Sequence, residues 1–452
     1  MNGSERMIRS NRVVLPDGIR PAAIIVRDGL IADIVDPGRV SSANLIDVGE
    51  SVVMAGLVDT HVHINEPGRT EWEGFETATM AAAAGGVTTL VEMPLNSIPA
   101  TTTVEAFRGK LASAEGKLFI DAGFWGGVVP GNCGELPALY KEGVFGFKCF
   151  LVPSGVPEFE AVTEADLRQS LPELARMGAI LLAHAEVPGP IEDATTRISA
   201  KDRRAYSTWL SSHPSAAEDQ AIELLIRLSQ QYKARVHVVH LSSAAALPMI
   251  RAAKANRTEL TIETCPHYLT IASEEVPDGA TQFKCAPPIR DAANQKLLWS
   301  ALRDGTIDFV ASDHSPAPPQ MKCLDSGDYM QAWGGIASIQ LSLPLLWTSA
   351  HKRGFDISDI ARWLCREPAR FAGLSRKGEI APGRDADLVV WNPDQSFQVQ
   401  YDKMFFRHKV TPYAGRTLFG VVESTFLRGE EIYMSGEFAA GRRGRILRRE
   451  EA

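Results

Sequence analysis

The chain has 452 residues, of which 45% are hydrophobic and 23% are charged, and its net charge is −8. That length is too great for one small domain, and it accommodates a barrel of about 250 residues together with a second module. The negative charge gives no electrostatic support for a nucleic-acid or anionic-membrane partner, so we expect neither. No run approaches the roughly 18 apolar residues that a membrane-spanning helix needs.

Cysteine usage points to a reducing compartment. The six cysteines are scattered along the chain without a Cys-x-x-Cys pair, which argues against a disulfide framework and against a thiolate zinc site. Residues 1–14 contain no apolar stretch of signal-peptide length. These two observations predict a cytoplasmic protein.

Both ends of the chain have the pattern of short β-strands. Near the start, residues 12–15, 22–26 and 30–35 are separated by turns at Asp17-Gly18 and Asp28-Gly29. Residues 387–391, 421–427 and 432–434 repeat this pattern near the far end. We therefore expect one composite β-sandwich built from segments 1–54 and 376–452.

Between these ends, apolar runs alternate with helical stretches, which predicts a parallel (β/α)8 barrel over residues 55–375. Capping-box patterns at Thr102–Glu105 and Ser215–Glu218 indicate two of the helix starts. The long connections 186–214 and 316–333 follow strands, so both are expected to shape a pocket on the catalytic face. The eight predicted strands are residues 55–63, 86–93, 118–129, 144–151, 179–185, 236–241, 260–264 and 307–312.

Metal-competent side chains occur near the ends of five of these strands. His61 and His63 are two residues apart, so on a strand they project from the same face. In such barrels the chemistry lies at the carboxyl ends of the strands, where these side chains converge. The pattern therefore predicts a metal site. The other candidates are Lys148, His184, His240 and Asp313.

Lys148 lies in the apolar run Phe145–Leu151. Burial would lower its pKa and favour the neutral amine, which can capture carbon dioxide as a carbamate that bridges two cations. A salt-bridged or snorkelling lysine on a barrel strand is an equally good interpretation of the sequence.

The remaining histidines are weaker candidates. His237 is an odd number of residues from His240, so we expect it to face the helices. His267 follows strand seven and could touch substrate or merely close a turn. His314 points away from Asp313 on an extended chain and is not assigned a metal. Three others are expected to be structural: His213, His351 and His408.

These residues resemble the binuclear metal set of the cyclic-amidase branch of the amidohydrolase superfamily. The resemblance extends to the strings at residues 63–74, 312–316, 378–390 and 409–417. Within that branch the chain most resembles the allantoinases. The resemblance implies a barrel flanked by a β-sandwich, hydrolysis of (S)-allantoin to allantoate, and a homotetramer. It also implies two divalent metals and a carboxylated Lys148 (N6-carboxylysine). Zinc suits these ligands, but cobalt, manganese or iron would also fit.

The resemblance also implies a role for each site residue. His61, His63 and Asp313 hold the first metal, His184 and His240 hold the second, and carboxylated Lys148 bridges them. Asp313 acts on the attacking water as a general base and then as an acid toward the leaving nitrogen. Three residues are expected to contact substrate, although each could instead cap a turn. They are Asn65, Asn96 and Ser315.

Two positions separate the sister enzymes. Dihydroorotases have an arginine for the substrate carboxylate at the place that Asn65 occupies here. Hydantoinases and dihydropyrimidinases carry a tyrosine soon after the bridging lysine, and residues 151–155 contain none. A hydantoinase-type cyclic amidase remains the alternative. A non-catalytic scaffold on the same fold is a further one, although here every ligand position is occupied.

Overall fold

The computed structural model describes residues 5–39 and 44–449. Eighteen strands occur in this part of the chain, and they form three sheets. The strands are β1 Arg6–Leu15, β2 Gly18–Arg27, β3 Leu30–Val35, β4 Leu45–Asp47, β5 Val52–Ala55, β6 Leu57–Val62, β7 Val87–Glu92, β8 Asp121–Phe124, β9 Gly126–Gly127, β10 Phe147–Phe150, β11 Ile180–His184, β12 Arg235–Val238, β13 Leu260–Thr264, β14 Phe309–Val310, β15 Leu388–Gln398, β16 Thr417–Leu427, β17 Glu430–Met434 and β18 Glu437–Phe438.

Strands from both ends of the chain form one nine-stranded sheet. Its order is β18-β17-β16-β15-β5-β1-β2-β3, with β4 beside β1. The β2–β3 turn has positive φ at both Asp28 (52°) and Gly29 (80°), as a tight hairpin turn requires. The prediction of a composite β-structure is therefore confirmed. The segment boundaries 1–54, 55–375 and 376–452 stay predictions.

The middle of the chain forms the expected parallel barrel. One sheet pairs β6, β7 and β8, and the other runs from β9 to β14. The third predicted strand is divided at Trp125, so β8 pairs with β7 while β9 pairs with β10. A parallel bridge between Val62 and His314 closes the ring. Counting β8 and β9 as one strand, the barrel has eight, and the fold-class prediction is confirmed.

Thirteen α-helices are found in the described ranges, and no helix there is long and apolar enough to cross a membrane. They are α1 Phe75–Ala84, α2 Val104–Ala114, α3 Leu136–Glu142, α4 Glu164–Met177, α5 Pro188–Ile198, α6 Tyr206–Ser212, α7 Ser215–Tyr232, α8 Leu247–Ala255, α9 Pro266–Thr270, α10 Ala292–Asp304, α11 Ser342–His351, α12 Ile357–Ala361 and α13 Glu367–Ala372.

Both predicted capping boxes were wrong in detail. The α2 cap is Thr103, whose side chain accepts from the Ala106 N–H, rather than Thr102. At α7 the N-cap is Pro214. Glu218 instead accepts backbone N–H groups of Ser242 and Ser243 at 3.0 and 2.9 Å. A buried carboxylate bonds more strongly to these donors than an exposed cap would, because water does not compete there.

The sheet and the barrel are joined by covalent continuity and by a buried ion cluster. Strand β5 leads through Gly56 into β6, and a Cβ at Gly56 would lie 2.2 Å from Thr88 Oγ1, so only glycine fits. The Lys377 ammonium binds Asp121 at 2.7 Å, Asp385 at 2.9 Å and Asp387 at 2.6 Å. Arg428 also pairs with Asp121 and Arg376 with Asp385, so the cations of this acidic cluster are side chains, and Lys377 links β8 to the segment that precedes β15.

Candidate metal centre

His61, His63 and Asp313 meet at one end of the barrel. The Nε2 atoms of His61 and His63 lie 3.2 and 3.5 Å from Asp313 Oδ1. All three side chains are buried. Asp313 has a φ of 45°, a left-handed conformation that a non-glycine residue adopts only at a cost. This turn directs the carboxylate back over the barrel toward the two histidines.

His184 and His240 form the second part of the centre. His184 Nδ1 and His240 Nε2 are 3.1 Å apart. His184 Nε2 lies 2.8 Å from the Glu186 carboxylate, which leaves Nδ1 as the ring atom that faces His240. The Phe150 ring stacks on His184 at 4.6 Å and fixes its plane. His240 also has a positive φ, of 41°.

Lys148 is the most unusual group in this cluster. It lies on β10 and is fully buried, and its Nζ has no hydrogen-bond partner among the described residues. Burial lowers its pKa to about 8. A buried ammonium with no partner is expensive, whereas a carbamate at this position would find cations and imidazoles as partners.

The electrostatics suit a cation-binding site. Burial lowers the pKa of His63 to about 4 and that of His240 well below its usual value, so both rings stay neutral. Burial alone would raise the pKa of Asp313, but the imidazoles beside it, led by His61, hold it well below its usual range. Neutral imidazoles and an ionised carboxylate are the forms in which these residues bind metals.

Two carboxylates that were not predicted from the sequence orient the histidines. Glu263 on β13 is fully buried, and its Oε1 accepts from His61 Nδ1 while its Oε2 accepts from His237 Nε2 at 3.2 Å. Burial opposes its ionisation, but His61 and His237 lower the pKa of Glu263 to about 2. Glu186 orients His184 in the same way. The available signal was a glutamate inside an apolar strand, because a buried acid needs a partner.

A cavity of about 330 Å³ opens onto this centre. Its walls include both long connections, as predicted, and the chemically relevant lining residues come from eight separate stretches of the chain. They are His61, His63, Asn96, Phe150, His184, Glu186, His213, His240, Asp313, Ser315, Trp333 and Gly334.

The three predicted substrate contacts occupy different places. Ser315 and Asn96 line the cavity, and the Asn96 amide nitrogen also lies 3.3 Å from His63 Nδ1. Asn65 is fully buried and is not among the lining residues, and its side-chain amide has no partner in the described part of the chain. Substrate contact by these residues stays a prediction.

The other histidines were partly misjudged. His213 was expected to be structural, but it lines the cavity, where the loop that follows β11 folds over the barrel. His237 packs on Phe371 of α13 at 4.2 Å, as its register predicted, although its Nε2 also bonds to Glu263. His314 accepts from the Ser338 N–H at 3.0 Å and is no metal candidate. His267 lies near Asp313 and Cys265 and does not line the cavity.

Replacing Glu263 with glutamine should weaken metal binding. The amide oxygen can still accept one hydrogen bond, but the negative charge that His61 and His237 share is lost. We expect metal affinity to fall about 10–100-fold, the range for outer-shell partners of metal-binding histidines. Competition with a chelator measures this directly. Glu223→Gln, on an exposed part of α7, is the matched control and should bind metal like the unmodified chain. Equal affinities in the two variants would contradict the role of Glu263.

Comparisons with known proteins agree with this geometry. The amidohydrolase family model matches residues 52–432. An allantoinase of Streptomyces avermitilis is 52% identical over 452 residues, covering 100% of both chains. An allantoinase of Saccharomyces cerevisiae is 45% identical and covers 94% of this chain and 95% of its own.

A solved structure shows the same architecture. The L-hydantoinase (dihydropyrimidinase) from Arthrobacter aurescens superposes with a TM-score of 0.92 at 31% identity, over 98% of this chain and 99% of its own. The hydantoinase is similar in fold, whereas the full-length allantoinases are considerably more similar in sequence. The chain therefore belongs to the amidohydrolase family and, within it, to the allantoinases.

Proposed function

We propose that this chain hydrolyses the ring amide of (S)-allantoin to give allantoate. The observation that carries the proposal is the convergence of four imidazoles and Asp313 on one cavity, beside a strand on which the buried Lys148 has no hydrogen-bond partner among the described residues. The allantoinase relatives, up to 52% identical over the whole chain, indicate the substrate. The histidine and aspartate donors of this centre suit an enzyme that hydrolyses a cyclic amide.

The residues present fit a binuclear metal centre, as membership of the amidohydrolase family implies. His61, His63 and Asp313 would hold one ion, and His184 with His240 would hold the other. We infer that Lys148, as N6-carboxylysine, would supply a carboxylate ligand to both ions. Zinc is the expected metal, and cobalt, manganese or iron would be compatible with the same nitrogen and oxygen ligands.

When bound, two divalent cations supply Lewis acidity, which makes water nucleophilic at neutral pH and polarises an amide carbonyl. The chain itself supplies the proton transfers and the orientation. The ionised Asp313 takes the proton of the attacking water and returns it to the leaving ring nitrogen. Glu263 and Glu186 hold His61 and His184 in fixed orientations through their other ring nitrogens. Asn96 contacts the ring of His63, and Ser315 offers a hydroxyl to the cavity.

The second candidate is a hydantoinase or dihydropyrimidinase activity, which the structural neighbour favours. Against it, Leu151–Gly155 supplies no tyrosine to the cavity. A homotetrameric assembly and a cytoplasmic location are further proposals, and the latter is supported by six cysteines that are free in the structure.

A substrate panel tests the proposed function. We expect (S)-allantoin to be turned over with the best kcat/KM among allantoin, hydantoin, dihydrouracil and dihydroorotate. Dihydroorotate should be the poorest, because no arginine stands at Asn65 to pair with its carboxylate. Metal analysis on the same sample should find close to two ions per chain. A better kcat/KM on dihydroorotate would refute the substrate assignment, and a chain without metal or activity after reconstitution would favour the scaffold.

A further inference from the structure

One wall of the cavity is the segment 332–336, which presents Trp333 and Gly334. The backbone N–H of Trp333 donates to the Met321 carbonyl at 2.7 Å, and the backbone N–H of Gly335 donates to the Lys284 carbonyl at 2.9 Å. A Cβ at Gly335 would lie 2.4 Å from the Ser315 backbone oxygen, so only glycine allows this approach. The position of the wall therefore depends on the contacts that its backbone makes on the side away from the cavity.

Two buried lysines lie behind this wall. Lys322 ends the 3-10 helix Pro319–Lys322 and is 3% exposed. Its Nζ donates to the carbonyls of Lys284, Trp333 and Gly335 at 3.2, 2.9 and 2.7 Å. An ammonium has three N–H donors, so all of them are used. Lys284 donates to the Ala332 carbonyl, and its Nζ lies 4.2 Å from the centre of the Trp209 ring.

Neither ammonium has a counter-ion. Within residues 5–39 and 44–449, no carboxylate forms an ion pair with Lys284 or Lys322, and the nearby Asp328 pairs with Arg203 at 2.8 Å. Burial lowers the pKa of Lys322 to about 7 and that of Lys284 to about 8, whereas the carbonyl acceptors around each Nζ favour the protonated form. A methionine would fill the same volume without the cost of burying a charge. What the ammoniums add is their hydrogen bonds, and three of the four carbonyls that they bind belong to the wall.

We propose that Lys322, assisted by Lys284, is a positioning residue that fixes the cavity wall 332–336 and thereby sets affinity for the cyclic-amide substrate. This inference rests on the proposed function, since it concerns the same cavity. Lys322 itself does not line the cavity, so it acts through Trp333 and Gly334. The metal ligands come from other segments, and for this reason the effect should fall on KM and leave the metal centre intact.

The test is Lys322→Met, compared with the exposed control Lys352→Met. We expect KM for allantoin to rise about 10-fold, equivalent to about 1.4 kcal/mol of binding free energy lost through displacement of the wall, with kcat and metal content close to those of the unmodified enzyme. Amide hydrogen exchange at residues 333–336 should become faster, while exchange in β11–β13 should not change. The control should match the unmodified enzyme in every measurement.

An unchanged KM together with unchanged exchange at 333–336 would overturn the proposal. So would a loss of metal that accounts for the whole effect. If Lys322→Met does not fold, Lys284→Met and Lys322→Arg test the proposal instead. The same two quantities are measured, KM for allantoin and amide hydrogen exchange at residues 333–336. In Lys322→Arg the planar guanidinium cannot reproduce the three directions of an ammonium, so partial recovery is expected. The exchange measurement needs no substrate, so it distinguishes failure of this proposal from failure to hydrolyse allantoin.

Discussion

Asp313→Asn should lower kcat at least about 100-fold, the smaller end of the range for a lost general acid–base group. Asparagine keeps the shape and one oxygen donor, but it cannot accept the proton of the attacking water. Much of the metal should remain bound, because His61, His63 and the proposed Lys148 carbamate would still hold the first ion. Metal content and kcat measured on one preparation separate the two roles.

The control for this variant is Asp308→Asn, which removes a carboxylate just before the same strand, where it binds Lys254 at 2.7 Å. That change should leave kcat near its original value and cost only stability. If Asp313→Asn kept both metals and near-native kcat, Asp313 would not be the proton shuttle. His267, which has a ring nitrogen within 4.8 Å of an Asp313 carboxylate oxygen, would then be the next candidate.

Lys148→Ala should abolish loading of the binuclear centre. The loss of metal affinity should exceed the 10–100-fold that follows from removing an outer-shell partner, because the proposed carbamate would contact both ions. A short acid such as acetate or propionate should restore part of the metal content and activity, since its carboxylate can occupy the place of the carbamate. Metal analysis at increasing acid concentration measures the effect.

Lys110→Ala provides a matched comparison. Lys110 is also fully buried, but it pairs with Glu92 at 2.8 Å and is not a ligand candidate. Its removal should destabilise the fold, and no short acid should rescue it. Full metal loading of Lys148→Ala without added acid would contradict the carbamate. A bare ammonium at Lys148 in metal-loaded protein would do so as well.

Much of the architecture could be predicted because buried parallel strands are continuous apolar runs. Strand β13, predicted at residues 260–264, has those bounds in the structure, and the two-residue spacing of His61 and His63 placed both rings on one face. Chemistry at strand ends follows from the barrel itself, which is why His184, His240 and Asp313 could be grouped before any contact was known.

What could not be predicted depends on contacts between distant segments. Glu218 fits a local capping pattern, yet it bonds to a loop after β12 that only the folded barrel brings near. Asn65 is only two residues after His63, but it is buried in the protein and does not line the cavity. Lys322 lies in a loop without periodicity, and its partners come from two other segments. The local sequence does not indicate which distant segments such a residue contacts.

The pairing of β5 with β15 has a consequence for biosynthesis. Ala55 pairs with Leu388, and β5 continues into the strand that presents His61 and His63. The ribosome synthesises His61 and His63 early, and it synthesises β15, the strand that pairs with β5, much later. Contacts so distant in sequence also form slowly, since a long loop must close first. We therefore expect the nascent chain to acquire its metals only after release, so that supply of metal and carbon dioxide to the finished polypeptide governs the yield of active enzyme.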